Sequence, residues 1–219
     1  MTRIKVCGIT RREDALRAAE WGADAVGFVF APRSRRRADP AAVARIVEEL
    51  PPFVTPVGVF QDQPVEEVRA VARDCGLAWV QLHGGEDAAY LERLGLRAIK
   101  AVGLARRSDV DTLGRYPGLG CFLLDAAVGG ASGGTGKTFD WSWAVEAKRY
   151  GRILLAGGLG PDNVEEAIRR VRPWGVDGAS ATESAPGVKD PDRLRRFIGA
   201  VRRTDLTLAD EDTRKGGRA

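Results

Sequence analysis

The feature that most constrains this chain is a rhythm of eight short apolar runs, each followed by a stretch with helical spacing. The runs fall at 3–6, 25–30, 54–60, 79–82, 98–102, 121–124, 152–156 and 176–178. They are rich in Val, Ile, Leu and Phe with little polar alternation, the pattern of parallel strands buried on both faces. Between them, Val65, Val68, Val71 or Ala72, and Cys75 mark one helical stripe. Val164, Ala167 or Ile168, and Val171 mark a second, and Leu194, Phe197, Ile198 and Val201 a third. Asp39-Pro40, Gln63-Pro64, Gly160-Pro161-Asp162 and Asp190-Pro191 place proline in or near the first turn of a helix. Eight strand-then-helix units in roughly 200 residues are the count and length of a single closed (β/α)8 TIM barrel. An open doubly wound sheet is the alternative, but it would run to fewer strands and carry a glycine-rich first turn.

No compositional break divides residues 1–203, which are read as one barrel domain. Residues 204–219 carry four acids and three bases with almost no apolar periodicity, and are expected to form a polar, frayed tail. A net charge of +4 is mild for 219 residues. Without a lysine-rich tract or an aromatic-basic repeat, it points to an anionic small molecule rather than nucleic acid or a membrane surface. Cys7, Cys75 and Cys121 are far apart, odd in number and without metal-ligand spacing, so neither a disulfide framework nor a metal site is expected. With no leader-like segment and no long apolar run, the expected location is the cytoplasm.

A barrel of this kind puts its chemistry at the carboxyl ends of its strands. Cys7 ends the first run. Ser34, Arg35, Arg36 and Arg37 follow the second, Gln81 and His83 close the fourth, and Asp125 ends the sixth. Gly157, Gly158 and Gly160 follow the seventh, and Asp177 and Ser180 come with the eighth. Nearly every unusual polar residue therefore falls on one face of the expected barrel, which points to an enzyme. Each also has a plainer reading. Cys7 could be a small buried apolar residue, Asp125 a helix cap or lysine partner, and 33–37 a solvated basic patch. His83, the lone histidine, is expected to line the site rather than catalyse. A carboxyl after Phe122-Leu123-Leu124 is partly desolvated, which raises its pKa and suits it to proton donation. The glycine loop at 156–163 has the bare backbone of a phosphate cradle, or is only a strand-to-helix turn. Gly136-Lys137-Thr138 is not a P-loop, because Ala131 stands where that motif needs glycine. The glycine-rich 129–136 segment reads as a mobile loop over the site.

Taken in order, several motifs resemble one family. They are Lys5-Val6-Cys7-Gly8-Ile9-Thr10, Gly27-Phe28-Val29-Phe30, Ser34-Arg35-Arg36, Val80-Gln81-Leu82-His83-Gly84 and Leu124-Asp125. Gly133-Gly134-Thr135-Gly136-Lys137-Thr138-Phe139-Asp140-Trp141, Ala156-Gly157-Gly158-Leu159 and Pro186-Gly187-Val188-Lys189-Asp190 complete the set. Together they resemble the phosphoribosylanthranilate isomerases of tryptophan biosynthesis, over roughly residues 3–203. The resemblance implies an Amadori rearrangement of N-(5-phosphoribosyl)anthranilate without metal or organic cofactor; whether the chain is a monomer or homodimer the sequence leaves open. It implies that Asp125 is the general acid that opens the furanose ring and Cys7 the base that takes the C2 proton. Arg36 would hold the anthranilate carboxylate, with Gln81, His83 and Asp177 also against substrate. Gly134, Gly157, Gly158, Ser180 and Ala181 would cradle the phosphate. A thiol can serve as a base near neutral pH if local positive charge pulls its pKa down.

One position departs from the family pattern, which has glycine where this chain has Ala181 in Asp177-Gly178-Ala179-Ser180-Ala181-Thr182-Glu183. Either the loop needs no glycine there, with Gly178 absorbing the change, or phosphate binding is weaker. Related phosphosugar barrels fit less well. The histidine-pathway isomerase uses paired aspartates where strand one here ends in Cys7. Indole-glycerol-phosphate synthase needs lysine and glutamate catalysts, for which only Lys100 is a match. A non-catalytic anion or nucleic-acid binder would instead use the 33–37 patch.

Overall fold

The structure, a computed structural model, describes residues 1–128, 131–132 and 139–216. Eight parallel strands form a ring: β1 (Arg3–Cys7), β2 (Ala25–Val29), β3 (Thr55–Phe60), β4 (Trp79–Leu82), β5 (Ala98–Leu104), β6 (Cys121–Val128), β7 (Arg152–Leu155) and β8 (Gly175–Gly178). Each pairs with its neighbours in sequence order, and β1 pairs with β8, which closes the barrel. The helices are α1 (Arg12–Glu20), α2 (Pro40–Glu48), α3 (Val65–Asp74), α4 (Ala88–Leu94), α5 (Trp141–Ala147), α6 (Val164–Val171) and α7 (Pro191–Gly216). The expected TIM barrel is the observed fold. The fifth connection differs in detail, being a 3-10 helix over Arg107–Arg115 with Gly114 near its end. Glycine lowers α propensity, and Asp109 accepts from the Ala105 and Arg106 amides, which fixes a tighter start.

Strand parity divides the core in two. Ile4, Val6, Val26, Phe28, Val80, Leu82, Phe122, Leu124 and Val176 point outward and pack under the helices. Val57, Ile99, Ala101, Cys121, Leu123 and Leu154 point inward and fill the barrel. The helices meet this outer layer with the expected stripes: Val164, Ala167, Ile168 and Val171 of α6 are all buried, each Val or Ile side chain contributing about 1.5–3 kcal/mol. Proline-marked starts are real helix starts. Asp39 accepts from the Ala42 amide and Asp190 from the Arg193 amide, capping α2 and α7.

The expected frayed tail is corrected. Residues 204–216 continue α7 rather than leaving it. Thr204 and Leu208 are buried, and ion pairs Arg169–Glu211 at 3.0 Å and Arg172–Asp212 at 3.1 Å tie the extension to α6. Asp205 accepts from the amide and hydroxyl of Thr2, so α7 is tied to the residue that precedes β1.

Candidate active site

The same parity that builds the core builds the site. On β1, Ile4 and Val6 face out, which turns Lys5 and Cys7 in. On β4, Val80 and Leu82 face out, turning Gln81 in, with His83 one further step along. Asp125 on β6, between outward Leu124 and Ala126, and Asp177 on β8, next to outward Val176, turn in the same way. All of these inward residues except Lys5 line one cavity of about 270 Å³ at the carboxyl end of the barrel, together with Arg33, Ser34, Arg35 and Arg36. The structure therefore brings Cys7, Arg36, Gln81, His83, Asp125 and Asp177 to one place, as the sequence reading expects.

Asp125 is almost buried, and its Oδ1 accepts one bond from the Ala126 amide at 2.8 Å. Among the described residues it has no lysine partner, and it caps no helix. Burial in the apolar wall pushes its pKa up to about 6, with the nearby Asp177 charge adding to the rise. Roughly a tenth of such a group holds its proton at pH 7, against roughly a thousandth for an ordinary aspartate. His83 Nε2 stands 3.8 Å from Asp125 Oδ2, too far for a hydrogen bond. Burial, with Lys5 and Lys100 nearby, lowers the imidazole pKa to about 4, so His83 is neutral at pH 7. Its Nδ1 lies 3.4 Å from Gln81 Nε2, and Gln81 Oε1 is buried with no partner among the described residues.

Cys7 at rest does not meet the condition of a thiol pKa pulled down by positive charge. Burial outweighs the nearby cations, and its thiol is pushed up, not down. Lys5 and Lys189 oppose that rise, while Asp177 adds to it. The bare Cα of Gly27, its register partner on β2, is what admits the sulfur, since a Cβ there would lie 2.8 Å from it.

Arg36 is held rather than free. Its Nε and Nη2 donate to both carboxylate oxygens of buried Glu183 at 2.8–3.0 Å. Glu183 also receives Lys189 Nζ at 3.1 Å, and Lys189 donates to the Cys7 carbonyl at 2.7 Å. Among the described residues Arg36 Nη1 has no partner, so the guanidinium keeps donors for the cavity it lines. Sequence reasoning gave no role to Glu183 or Lys189, although both stand in quoted motifs. The available signal was their charge at positions where the chain is otherwise apolar or tightly turned.

The loops after β7 and β8 meet beside this cavity. Gly157 and Gly158 have φ of +82° and +64°, conformations that favour glycine, and a Cβ on Gly157 would strike the Ala126 amide and Asp125. Ser180 and Ala181 open a short 3-10 helix, Ser180–Thr182. Ala181 does not take a positive φ. Its methyl fits because Gly160 opposite is bare, a Cβ there lying only 2.7 Å away. Gly178, the residue expected to absorb the change, is instead a strand residue pressed against Phe197. A depression between these loops is also lined by Arg193 and Arg196 of α7, which the sequence reading did not single out. Gly134 and most of 129–136 lie outside the described residues; Ala131 and Ser132 pair antiparallel with the end of β6.

Lys100, the rival catalyst, is spoken for. Its ammonium meets Glu86 at 2.8 Å and the Gly84 and Leu82 carbonyls, on the outer side of β5. Among the described residues no group of three or more His, Cys, Asp or Glu could hold a metal ion, and no helix is long and apolar enough to cross a membrane.

Comparison with known proteins agrees with this geometry. The family model described as N-(5'phosphoribosyl)anthranilate (PRA) isomerase matches residues 4–200. A relative from Citrifermentans bemidjiense, an N-(5'-phosphoribosyl)anthranilate isomerase, is 48% identical over 206 residues, covering 94% of this chain and 100% of its own. The phosphoribosyl anthranilate isomerase structure from Thermotoga maritima superposes with a TM-score of 0.85 at 44% identity, over 92% of this chain and 99% of its own. A further isomerase structure, in complex with reduced 1-(o-carboxyphenylamino)-1-deoxyribulose 5-phosphate, gives 0.82 at 41% identity over 92% and 99%.

Proposed function

Since this chain belongs to the N-(5'-phosphoribosyl)anthranilate isomerase family, the isomerases of tryptophan biosynthesis, we propose that Cys7 and Asp125 carry its reaction as base and acid. The chain catalyses isomerisation of N-(5'-phosphoribosyl)anthranilate. What supports the assignment of roles is that a thiol on β1 and a carboxyl on β6 with a pKa of about 6 share one small cavity.

Asp125 gives its proton to the furanose ring oxygen as the C1–O bond breaks, and the anthranilate nitrogen lone pair forms C1=N⁺. The Cys7 thiolate then removes the C2 proton. The C–H electron pair becomes C1=C2 while the C=N π pair returns to nitrogen, giving the enolamine. Tautomerisation places a proton on C1 and leaves the C2 ketone. The resting thiol is protonated, and the iminium charge adds to what favours the thiolate when it is needed. His83, being neutral, does not compete as acid; with Gln81 and Asp177 it lines the sugar.

Arg36 holds the anthranilate carboxylate with its remaining donors, oriented by Glu183. Gly157, Gly158, Ser180 and Ala181 receive the phosphate, with Gly134 assigned to the same group from the sequence alone. The enzyme needs no cofactor for this chemistry. We place it in the cytoplasm, which suits three free cysteines, as a monomer or homodimer. A relative from Thermotoga maritima is described as dimeric. In this chain Phe53 and Trp174 are exposed at the base of the barrel, and sedimentation velocity distinguishes the two states.

The test is loss of substrate fluorescence on adding enzyme. Cys7→Ala and Asp125→Ala should each lose at least about a hundredfold in kcat while keeping the wild-type circular dichroism spectrum. Near-normal turnover in either variant removes that residue from its role.

A further inference from the structure

Lys5 is a buried cation that the reaction as derived does not use. It faces Asp177 in register across the β1–β8 seam, with Nζ and Oδ1 2.9 Å apart. The two side chains are 2% and 7% exposed. The next inward residue on β1 is Cys7. A Cβ on Gly27 would lie 2.8 Å from Cys7 Sγ and 3.2 Å from Lys5 Nζ. Sulfur and ammonium are therefore within about 6 Å of each other, close enough for charge on one to bias ionisation of the other.

We propose that Lys5 is a positioning residue for the isomerisation: its ammonium, pinned by Asp177 beneath the cavity, is the fixed counter-charge against which Cys7 ionises. This rests on the reading of Cys7 as base. A sulfur in an apolar barrel cannot hold a negative charge unaided, because burial penalises the charged form. Lys5 supplies the opposing charge without reaching into the substrate space, since it does not line the cavity. Asp177 has two opposed effects. Its bond holds the ammonium in place, and its own charge disfavours the thiolate. The other groups facing the sulfur are Lys189, whose ammonium sits on the Cys7 carbonyl, and the Arg36 guanidinium beyond it. Across the cavity stand Asp125 and the neutral His83. On ionisation the thiol proton leaves to solvent, and no electron moves.

The two partners should shift the thiol in opposite directions, which a merely structural ion pair would not do. The probe is iodoacetamide, with alkylation of the Cys7 peptide followed by mass across pH, and Cys75 and Cys121 as internal references. Lys5→Met should slow Cys7 alkylation at pH 8 by about tenfold or more and move its midpoint upward. Asp177→Asn should speed it severalfold and move the midpoint downward. An unmoved midpoint in Lys5→Met, or shifts of the same sign in both variants, overturns the proposal. Should Lys5→Met not fold, Lys5→Met/Asp177→Asn removes both charges together. Its Cys7 must still alkylate more slowly than wild type at pH 8, and an equal rate overturns the proposal. Alkylation needs no substrate, so these shifts stand or fall separately from the turnover of Cys7→Ala.

Discussion

Two lysines on strands of the same barrel, Lys5 and Lys100, are equally buried, and each meets a carboxylate at 2.8–2.9 Å. Their surroundings are opposites. Lys100 faces outward, and its three donors go to Glu86 and two carbonyls, while Glu86 also receives the Asp62 and Gly84 amides. That cluster is saturated and has nothing left to give. Lys5 faces inward, on a single carboxylate, with a thiol above it and a perturbed Asp125 across the cavity. Partly satisfied charge inside a barrel is costly to fold, and it lies here beside the groups proposed to react. A lysine between apolar residues thus means different things according to which side of the strand it takes.

The largest test of this contrast is on the saturated side. Lys100→Met leaves Glu86 buried without its cation and should cost about 3–5 kcal/mol in urea unfolding. The fraction that remains folded should turn over normally, and a selective loss of kcat would place Lys100 with the catalysts after all. On the unsatisfied side the sign reverses. Asp125 has a folded pKa of about 6, above its unfolded value, so wild type loses stability from this group as pH rises from about 4 to 6. Asp125→Asn removes that loss and should be the more stable protein at pH 8, by on the order of 2 kcal/mol, though inactive. Equal stability differences at pH 4 and pH 8 would contradict the desolvated carboxyl.

Arg36→Lys sharpens the boundary between the two kinds of cluster. It keeps the charge but not the fork on Glu183, and should raise KM roughly tenfold with a smaller change in kcat. The smallest effect is expected at Ala181→Gly, within about twofold in KM, because its backbone does not use the left-handed region. A large fall in KM would show that the methyl, not the backbone, limits phosphate binding.

The barrel was legible because most strands carry several Val, Ile, Leu or Phe, though β8 carries only Val176, and the carboxyl end of each run then marks which polar residues meet the site. Cys7, Gln81, Asp125 and Asp177 could be placed that way. The Arg36–Glu183–Lys189 chain could not, since Arg36 and Glu183 are 147 positions apart and only ring closure joins them. The direction of the Cys7 shift could not be read for a related reason: sequence does not show how dry the sulfur is. Residues 204–216 were misread because their helix is held by contacts with α6 and Thr2, not by a stripe of their own.

The seam between first and last strand has a consequence for biosynthesis. Lys5 leaves the ribosome before its counter-ion, which is made 172 residues later. Until then the emerging chain carries an uncompensated ammonium on a strand whose remaining hydrogen-bond edge is open. The chamber cannot be pre-assembled by the earlier strands; it comes into being only once β8 has been made and has met β1.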